Sequence, residues 1–187
     1  MDLRPHQVLA IEMLRNSIRD GKHRPILAAP CSFGKTVVAA KILQEVYNKG
    51  KRGIFICDRI KLVQQCLEEF DEVGIPCGVM QGSHWRTDCS KPIQIASIQT
   101  LARRRIPHFD LAIVDECHTH YQSLTKFMES WNKIPFIGLS ATPYSQGLGI
   151  HYNDILVPIT PRELLKKGFL APVRYYGGKG VNLDNVK

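Results

Sequence analysis

The stretch Ile26-Leu27-Ala28-Ala29-Pro30-Cys31-Ser32-Phe33-Gly34-Lys35-Thr36 decides the fold. Four apolar residues stop at a proline, a short loop closes on Gly-Lys-Thr, and helical spacing then runs from about Lys35 to Asn48 before Gly50. That is a strand, a loop and a helix. In this setting backbone N–H groups and the helix N-terminus hold phosphates, Lys35 reaches the β- and γ-phosphates, and the Thr36 hydroxyl ligates Mg²⁺. The tripeptide alone says little, because Gly-Lys-Ser/Thr arises by chance in about one chain in ten of this length. Ala29 also stands where the strict phosphate-loop pattern begins with glycine. The surrounding chain has to supply the rest.

Working outward, short apolar runs recur at Ile54 to Cys57, Cys77 to Met80, Ile93 to Ala96, Leu111 to Val114 and Phe136 to Leu139. Strands apolar on both faces are what a parallel sheet covered by helices requires. Pro5 suits a first helical turn, with Val8, Ile11, Leu14 and Ile18 following at helical spacing until Gly21. Further helices fit Leu62 to Phe70, Gln99 to Arg104, Gln122 to Trp131 and Pro161 to Lys167. The alternation predicts an α/β domain with a central, mostly parallel sheet and helices on both faces. Residues 81–92 and 143–154 read as long irregular pieces, which inside a compact domain are often functional. After Pro158 the pattern thins. Gly168, Pro172 and Gly177-Gly178-Lys179-Gly180 make 158–187 a connector leaving a domain of residues 1–157.

The 187 residues fit one domain. With 44% hydrophobic and 22% charged residues, disorder, collagen-like repeats and coiled coils are excluded. Lys and Arg number 25 against 17 Asp and Glu, a balance of +8 that favours a polyanionic partner such as nucleic acid. An acidic substrate or an anionic membrane would fit the charge as well. No apolar run approaches the roughly 18 residues of a spanning helix, and the start Met1-Asp2-Leu3-Arg4-Pro5 has no secretory apolar region. The expectation is a soluble, cytoplasmic protein without a membrane partner. Six scattered cysteines with no C-x-x-C pair read as reduced thiols.

A second site checks the first. Asp115-Glu116-Cys117-His118 follows directly on the apolar run ending at Val114, at a parallel strand's carboxyl end, where open α/β sheets bind ligands. Asp115 can hold hydrated Mg²⁺, and Glu116 can position and deprotonate an attacking water. A solvated acidic turn is the plainer reading of the same residues. Asp-Glu-x-His occurs by chance in about one chain in a hundred, so both patterns together come near one in a thousand.

With both in place, the sequence resembles the first RecA-like domain of a superfamily 2 helicase. The branch is the DEAD/DEAH-like one that includes type III restriction subunits and DNA-repair helicases, and the likeness covers about residues 3–176. Leu3-Arg4-Pro5-His6-Gln7 resembles the adenine-recognition motif, which implies Gln7, with Arg4, at the adenine. Ala29 to Thr36 is similar to motif I, usually Ala-Pro-Thr-Gly-x-Gly-Lys-Thr, so Ala29 is expected. Pro30, Cys31, Ser32, Phe33 and Gly34 are then implied around the phosphates beside Lys35 and Thr36. Asp58 to Gln65 resembles motif Ia, Ile95 to Leu101 the next strand-contacting motif, Asp115 to His118 motif II, and Ser140-Ala141-Thr142-Pro143 motif III.

The resemblance implies a RecA-like P-loop NTPase domain using ATP and Mg²⁺, with Lys35, Asp115 and Glu116 catalytic and Thr36 and Asp115 on the metal. It implies that His118, Ser140 and Thr142 couple the nucleotide to the nucleic acid. Arg59, Gln99, Thr100 and Arg103 are implied to face one strand's phosphates, on DNA sooner than RNA. A second RecA-like domain, carrying an arginine finger and the other wall of the ATP cleft, is the implied partner. Nothing in these 187 residues resembles it.

Two departures stand out. Ser32 occupies a position where glycine normally lets the backbone approach phosphates without a Cβ. Cys117 replaces a commoner alanine in motif II, one small residue for another. Ser32 and the lack of any resemblance to a second RecA-like domain favour a competing reading, a catalytically silent nucleic-acid-binding module with a degenerate phosphate loop; intact Lys35, Thr36, Asp115 and Glu116 oppose it. In the 81–92 piece, His84-Trp85-Arg86 is a mixture that can stack on a base or wedge a duplex. The preferred reading is a tryptophan packing its own loop against the domain. His118, His120, Cys117 and Cys89 lack the spacing of a zinc module.

Overall fold

A strand buried on both faces must find apolar partners for its odd and its even residues, and the structure shows two cores that divide the strands in this way. The computed structural model describes residues 2–58 and 60–171. The elements in chain order are α1 (Pro5–Arg19), β1 (Pro25–Ala28), α2 (Lys35–Asn48), β2 (Gly53–Cys57), α3 (Ile60–Glu72), β3 (Cys77–Met80) and β4 (Ile93–Ser97). There follow α4 (Ile98–Leu101), β5 (Leu111–Val114), α5 (Gln122–Ser130), β6 (Phe136–Ser140), α6 (Leu148–His151), β7 (Asp154–Leu156) and α7 (Pro161–Lys166).

The seven strands form one sheet in the order β3-β4-β2-β5-β6-β1-β7, and every pairing is parallel. Leu27, Phe55, Ile95, Ile113 and Leu139 pack with α1, α2 and α3 on one face. Their neighbours Ile26, Ile54, Ala96, Ala112 and Phe136 pack with α5 on the other. The predicted doubly covered α/β sheet is therefore the fold, and helix α2 spans the residues expected of it.

The 143–154 piece is less irregular than its sequence suggests. It holds the short α6 and the start of β7, which pairs with β1 through Ile26 and Ile155. β7 is an edge strand of three residues with Ile155 half-exposed, so it lacks the apolar run that marks a central strand. Helix α4 ends at Leu101, short of Arg104, and a turn follows in which the Thr100 carbonyl accepts from the N–H groups of both Arg103 and Arg104.

The connector begins within the packed domain. Thr160 and Glu163 form a capping box at the start of α7, where Pro161 suits the first turn. Leu164 is fully buried and Ile159 nearly so, while Phe169 and Leu170 pack against the same core. The Gly177 to Gly180 cluster lies outside the described residues. Among the described residues, no helix is long and apolar enough to cross a membrane.

Candidate nucleotide and nucleic-acid site

Strands β1, β6 and β5 are neighbours, so their carboxyl ends set the Pro30–Thr36 loop, Ser140 and the Asp115-Glu116 pair side by side. Backbone bonds tie the three ends together: Ala29 N–H donates to the Ser140 carbonyl and Cys117 N–H to that of Leu139, at 2.9 and 3.0 Å. Lys35, Thr36, Asp115 and Glu116 consequently line a single cleft of about 300 Å³, together with Pro30, Ser32 and Gly34. The two motifs found separately in the sequence face each other.

The loop reaches this shape through left-handed backbone. Gly34, which precedes α2, has φ of 86°, and a Cβ there would also lie 2.5 Å from the Gln7 side-chain nitrogen. Ser32 has φ of 65° and Glu116 of 46°, conformations that cost a non-glycine residue on the order of 1 kcal/mol. Phe33 is wholly buried, so only its backbone is available to a ligand. Cys31 is exposed and opens onto an adjoining space with Asp58, Glu116, His118 and Thr142.

Ser32→Gly is expected to tighten Mg-ATP binding a few-fold in a calorimetric titration, since it removes the Cβ from a left-handed position facing the phosphates. The melting temperature should barely move, because glycine's freer unfolded chain offsets the strain relieved. Weaker binding instead would identify the serine hydroxyl as a ligand.

Electrostatically the cleft is prepared for cations and phosphate. Helix α2 opens with no side-chain cap and no acidic residue in its first turn, leaving its N–H groups and positive end toward the cleft. Lys35 Nζ donates to the Ala29 carbonyl at 3.2 Å. Burial, and after it the Glu116 carboxylate, push Asp115 from its ordinary 3.8 up to about 6; the Glu116 N–H and Lys35 pull it down less strongly. A carboxylate desolvated in this way beside a hydroxyl is a donor set that suits a hard divalent cation, whose charge would hold it ionised. Thr36 and Asp115 therefore fit Mg²⁺.

The residues expected to couple the two functions also meet. His118 Nδ1 lies 3.0 Å from Ser140 Oγ and 3.2 Å from Glu116 Oε2, and the Thr142 N–H donates to Ser140 Oγ at 3.0 Å. Glu116, His118, Ser140 and Thr142 thus form one polar chain from the cleft to the strand ends. Burial pushes the Cys117 thiol up to about 12 and keeps it neutral, and its sulfur packs where a Cβ on Gly138 would be 2.7 Å away.

Gln7, expected at the adenine, is engaged on the loop itself. It is buried, its Oε1 accepts from Arg4 N–H and its Nε2 donates to the Phe33 carbonyl, both at 2.9 Å. It holds the loop from behind, while the Arg4 guanidinium covers the Phe169 ring at 4.9 Å. Sequence reasoning also missed Gln65 and Glu69 on α3, which line the phosphate cleft with Leu62. Gln65 stood inside the motif Ia stretch, and only the turn of the helix shows that this side chain faces the nucleotide side.

At the other side of the sheet, beyond β4 and β3, a cleft of about 630 Å³ is lined by Gln99, Arg103 and Arg104, with Gln81 and His84 opposite. Gln99 and Arg103 are exposed there. Thr100 borders the cleft but is buried, and its hydroxyl proton goes to the Met80 carbonyl at 2.7 Å while Ser97 lies 2.9 Å away. It braces the turn instead of offering a proton to phosphate. Arg59 lies outside the described residues.

Comparisons with known proteins bear on this arrangement. A family model described as type III restriction enzyme, res subunit, matches residues 1–145. The chain is 30% identical over 185 residues to the uncharacterized ATP-dependent helicase YqhH of Bacillus subtilis (strain 168), covering 92% of this chain and 31% of that protein. It spans about a third or less of the length of the curated relatives it matches. Among solved structures, the type ISP restriction-modification enzyme LlaGI, in complex with a DNA substrate mimic, superposes with a TM-score of 0.72 at 17% identity, over 90% of this chain and 21% of that one. The UvsW helicase from bacteriophage T4 gives 0.69 at 17% identity, over 84% and 61%. These likenesses support the RecA-like fold.

Proposed function

The chain belongs to the type III restriction enzyme res-subunit family, as a first RecA-like domain of a superfamily 2 helicase, and from that premise we propose that it binds ATP and Mg²⁺ as the N-terminal motor domain of a nucleic-acid-dependent ATPase. The observation that carries the reading is the single cleft in which Lys35 and Thr36 meet Asp115 and Glu116. Lys35 and the α2 N-terminus take the phosphate charge, Thr36 and Asp115 hold the metal, and Glu116 orients the water and accepts its proton. When bound there, Mg²⁺ would supply charge neutralisation at the phosphate oxygens. Arg4 and Gln7 serve the adenine side, with Gln7 also fixing the Phe33 carbonyl. Gln99, Arg103 and Arg59 meet phosphates without reading sequence. DNA is the proposed track, in keeping with the net charge of +8 and with the DNA ligands named for LlaGI and for a Sulfolobus SWI2/SNF2 ATPase core. A motor of this kind with six free thiols belongs in the cytoplasm.

The polar chain from Glu116 through His118 to Ser140 and Thr142 would carry nucleotide occupancy to the end of β6 and the segment that follows it. Closure against a second RecA-like domain, reached through a connector that starts near residue 158 and leaves past α7, would turn that signal into movement along a strand. The silent-module reading keeps one supporting observation, the left-handed Ser32.

Titrating Mg-ATP against the chain and its Lys35→Ala form separates the two. Charge-assisted hydrogen bonds are worth about 1.5 to 3 kcal/mol, so the variant should bind roughly 10- to 100-fold more weakly. Equal affinity would exclude the nucleotide assignment.

A further inference from the structure

Tryptophan is normally highly buried on average, yet Trp85 is 81% exposed. The expectation that it packs its own loop against the domain is overturned. The loop that carries it between β3 and β4 is firmly tied down. Arg86 pairs with both carboxylate oxygens of Asp71, at 2.5 and 3.0 Å, and its carbonyl accepts from Val79 N–H at 3.0 Å. The Arg86 N–H donates to His84 Nδ1 at 3.1 Å. Farther along, Arg52 donates to the carbonyls of Cys89, Ser90 and Lys91 at 3.1, 3.3 and 2.8 Å. Gln94 Nε2 donates to those of Asp88 and Lys91. The loop that presents the indole is thus fixed, and the ring itself meets the Arg86 guanidinium, 5.6 Å from its centroid.

Trp85 also has a neighbour of the right kind. The His84 ring stacks on it, centroids 5.9 Å apart and planes 23° from parallel. His84 is at the same time a wall of the 630 Å³ cleft whose other side carries Gln99, Arg103 and Arg104. Arg104 reaches across to the Gly82 carbonyl and so ties this loop to the segment after α4. A cleft bearing exposed guanidinium groups ends on a half-buried histidine stacked with an exposed indole.

We propose that this loop is a base-stacking site: Trp85, backed by His84, takes an unpaired nucleobase of a strand whose phosphates run past Arg103 and Arg104. The inference rests on the nucleic-acid reading above and adds to it a contact to a base. Nucleic acid is the fitting occupant because charge and ring lie together. The arginines match phosphate, every base has a face for the indole, and one indole with an imidazole beside guanidinium groups lacks the apolar breadth of a protein-docking patch. Preorganisation matters as well, since a loop already tied down loses little backbone freedom on binding. A base inside a duplex has both faces covered by its neighbours, so the site selects single strands or the end of a duplex.

The test uses the whole chain with fluorescein-labelled oligo(dT), oligo(U) and an abasic strand of equal length, read by anisotropy and by indole emission. Trp131, packed 4.5 Å from Phe109, gives the background signal. The expected result is quenching of indole emission by oligo(dT) that disappears in Trp85→Phe. Trp85→Ala should weaken binding about tenfold, to the level of the abasic strand on the unaltered chain. Its salt slope should stay unchanged, whereas Arg103→Ala lowers that slope by about 0.7. The oligo(U) arm shows whether the site accepts ribose. If Trp85→Ala binds every strand as the parent does and emission never changes, the stacking proposal falls while the phosphate-binding face stands. If the parent chain binds no strand at all, both fall.

Discussion

Phosphate release from ATP by these 187 residues alone is expected to be slow, on the order of 10³- to 10⁵-fold below the same chain completed by a second RecA-like domain. Asp115, Glu116, Lys35 and Thr36 line one wall of an open cleft. On the proposed reading they bind the phosphates, hold the metal and orient water. Charge that develops on the γ-phosphate as the leaving bond breaks faces solvent on the opposite side. Water screens that charge but cannot be held in advance in the geometry the transition state requires, and this preorganisation is what a positioned guanidinium supplies. Release should be measured with and without single- and double-stranded DNA and RNA, then in Glu116→Gln. The glutamine keeps the size of the side chain but cannot accept a proton, and removing a general base typically costs about 10²- to 10⁴-fold. Brisk hydrolysis stimulated by nucleic acid and abolished in Glu116→Gln would show that the 187 residues hold a complete catalytic site.

What could be read from the sequence follows from how each residue is constrained. Central strands such as Ile54 to Cys57 must be apolar on both faces, so they announce themselves. The edge strand β7 is half-solvated and carries Asp154, whose side chain accepts from Ser17 at 2.6 Å, so nothing in its composition marks a strand. The site divides in the same way. Lys35 with Thr36, and Asp115 with Glu116, are legible because each pair is contiguous in sequence and follows an apolar strand, Lys35 and Thr36 opening a helix and Asp115 and Glu116 entering a turn. Glu69 is not legible: it arrives at the cleft by the rotation of α3, and its buried Oε2 has no hydrogen-bond partner among the described residues. Thr100 fails for the opposite reason. Its sequence position fits a strand-contacting motif, but a hydroxyl has one proton, and the nearest buried carbonyl takes it. Ser32 is the instructive middle case. The sequence marks it as a departure from glycine, and the left-handed backbone explains why glycine is usual there.

Asp115→Asn is expected to stabilise the nucleotide-free protein while removing its response to Mg²⁺. The folded protein holds a proton on Asp115 up to about pH 6, against 3.8 for an unburied carboxyl, and the leading cause is burial. Because the folded state binds that proton more tightly than the unfolded chain, this residue's contribution to stability falls as pH rises from about 3.8 to about 6 and stays fully unfavourable above. At about 1.36 kcal/mol per pH unit, the cost at pH 8 has a ceiling near 3 kcal/mol, and solvent reaching the partly exposed carboxylate lowers it. Asparagine carries no charge to desolvate and its carbonyl can still accept the Glu116 N–H. The variant should therefore melt higher by several degrees at pH 8, by roughly half as much at pH 5, and by nothing below the unfolded carboxyl range. Function runs the other way. With the anionic ligand gone, Mg²⁺ should no longer tighten ATP binding, and adding Mg-ATP should close the gap in melting temperature by stabilising only the parent chain. Thermal melts at pH 5 and pH 8, each with and without Mg-ATP, check both halves. An Asp115→Asn protein that melts at or below the parent at pH 8 would mean that the carboxylate is already compensated in the free protein, and that its place at the strand end is no burden relieved by a metal.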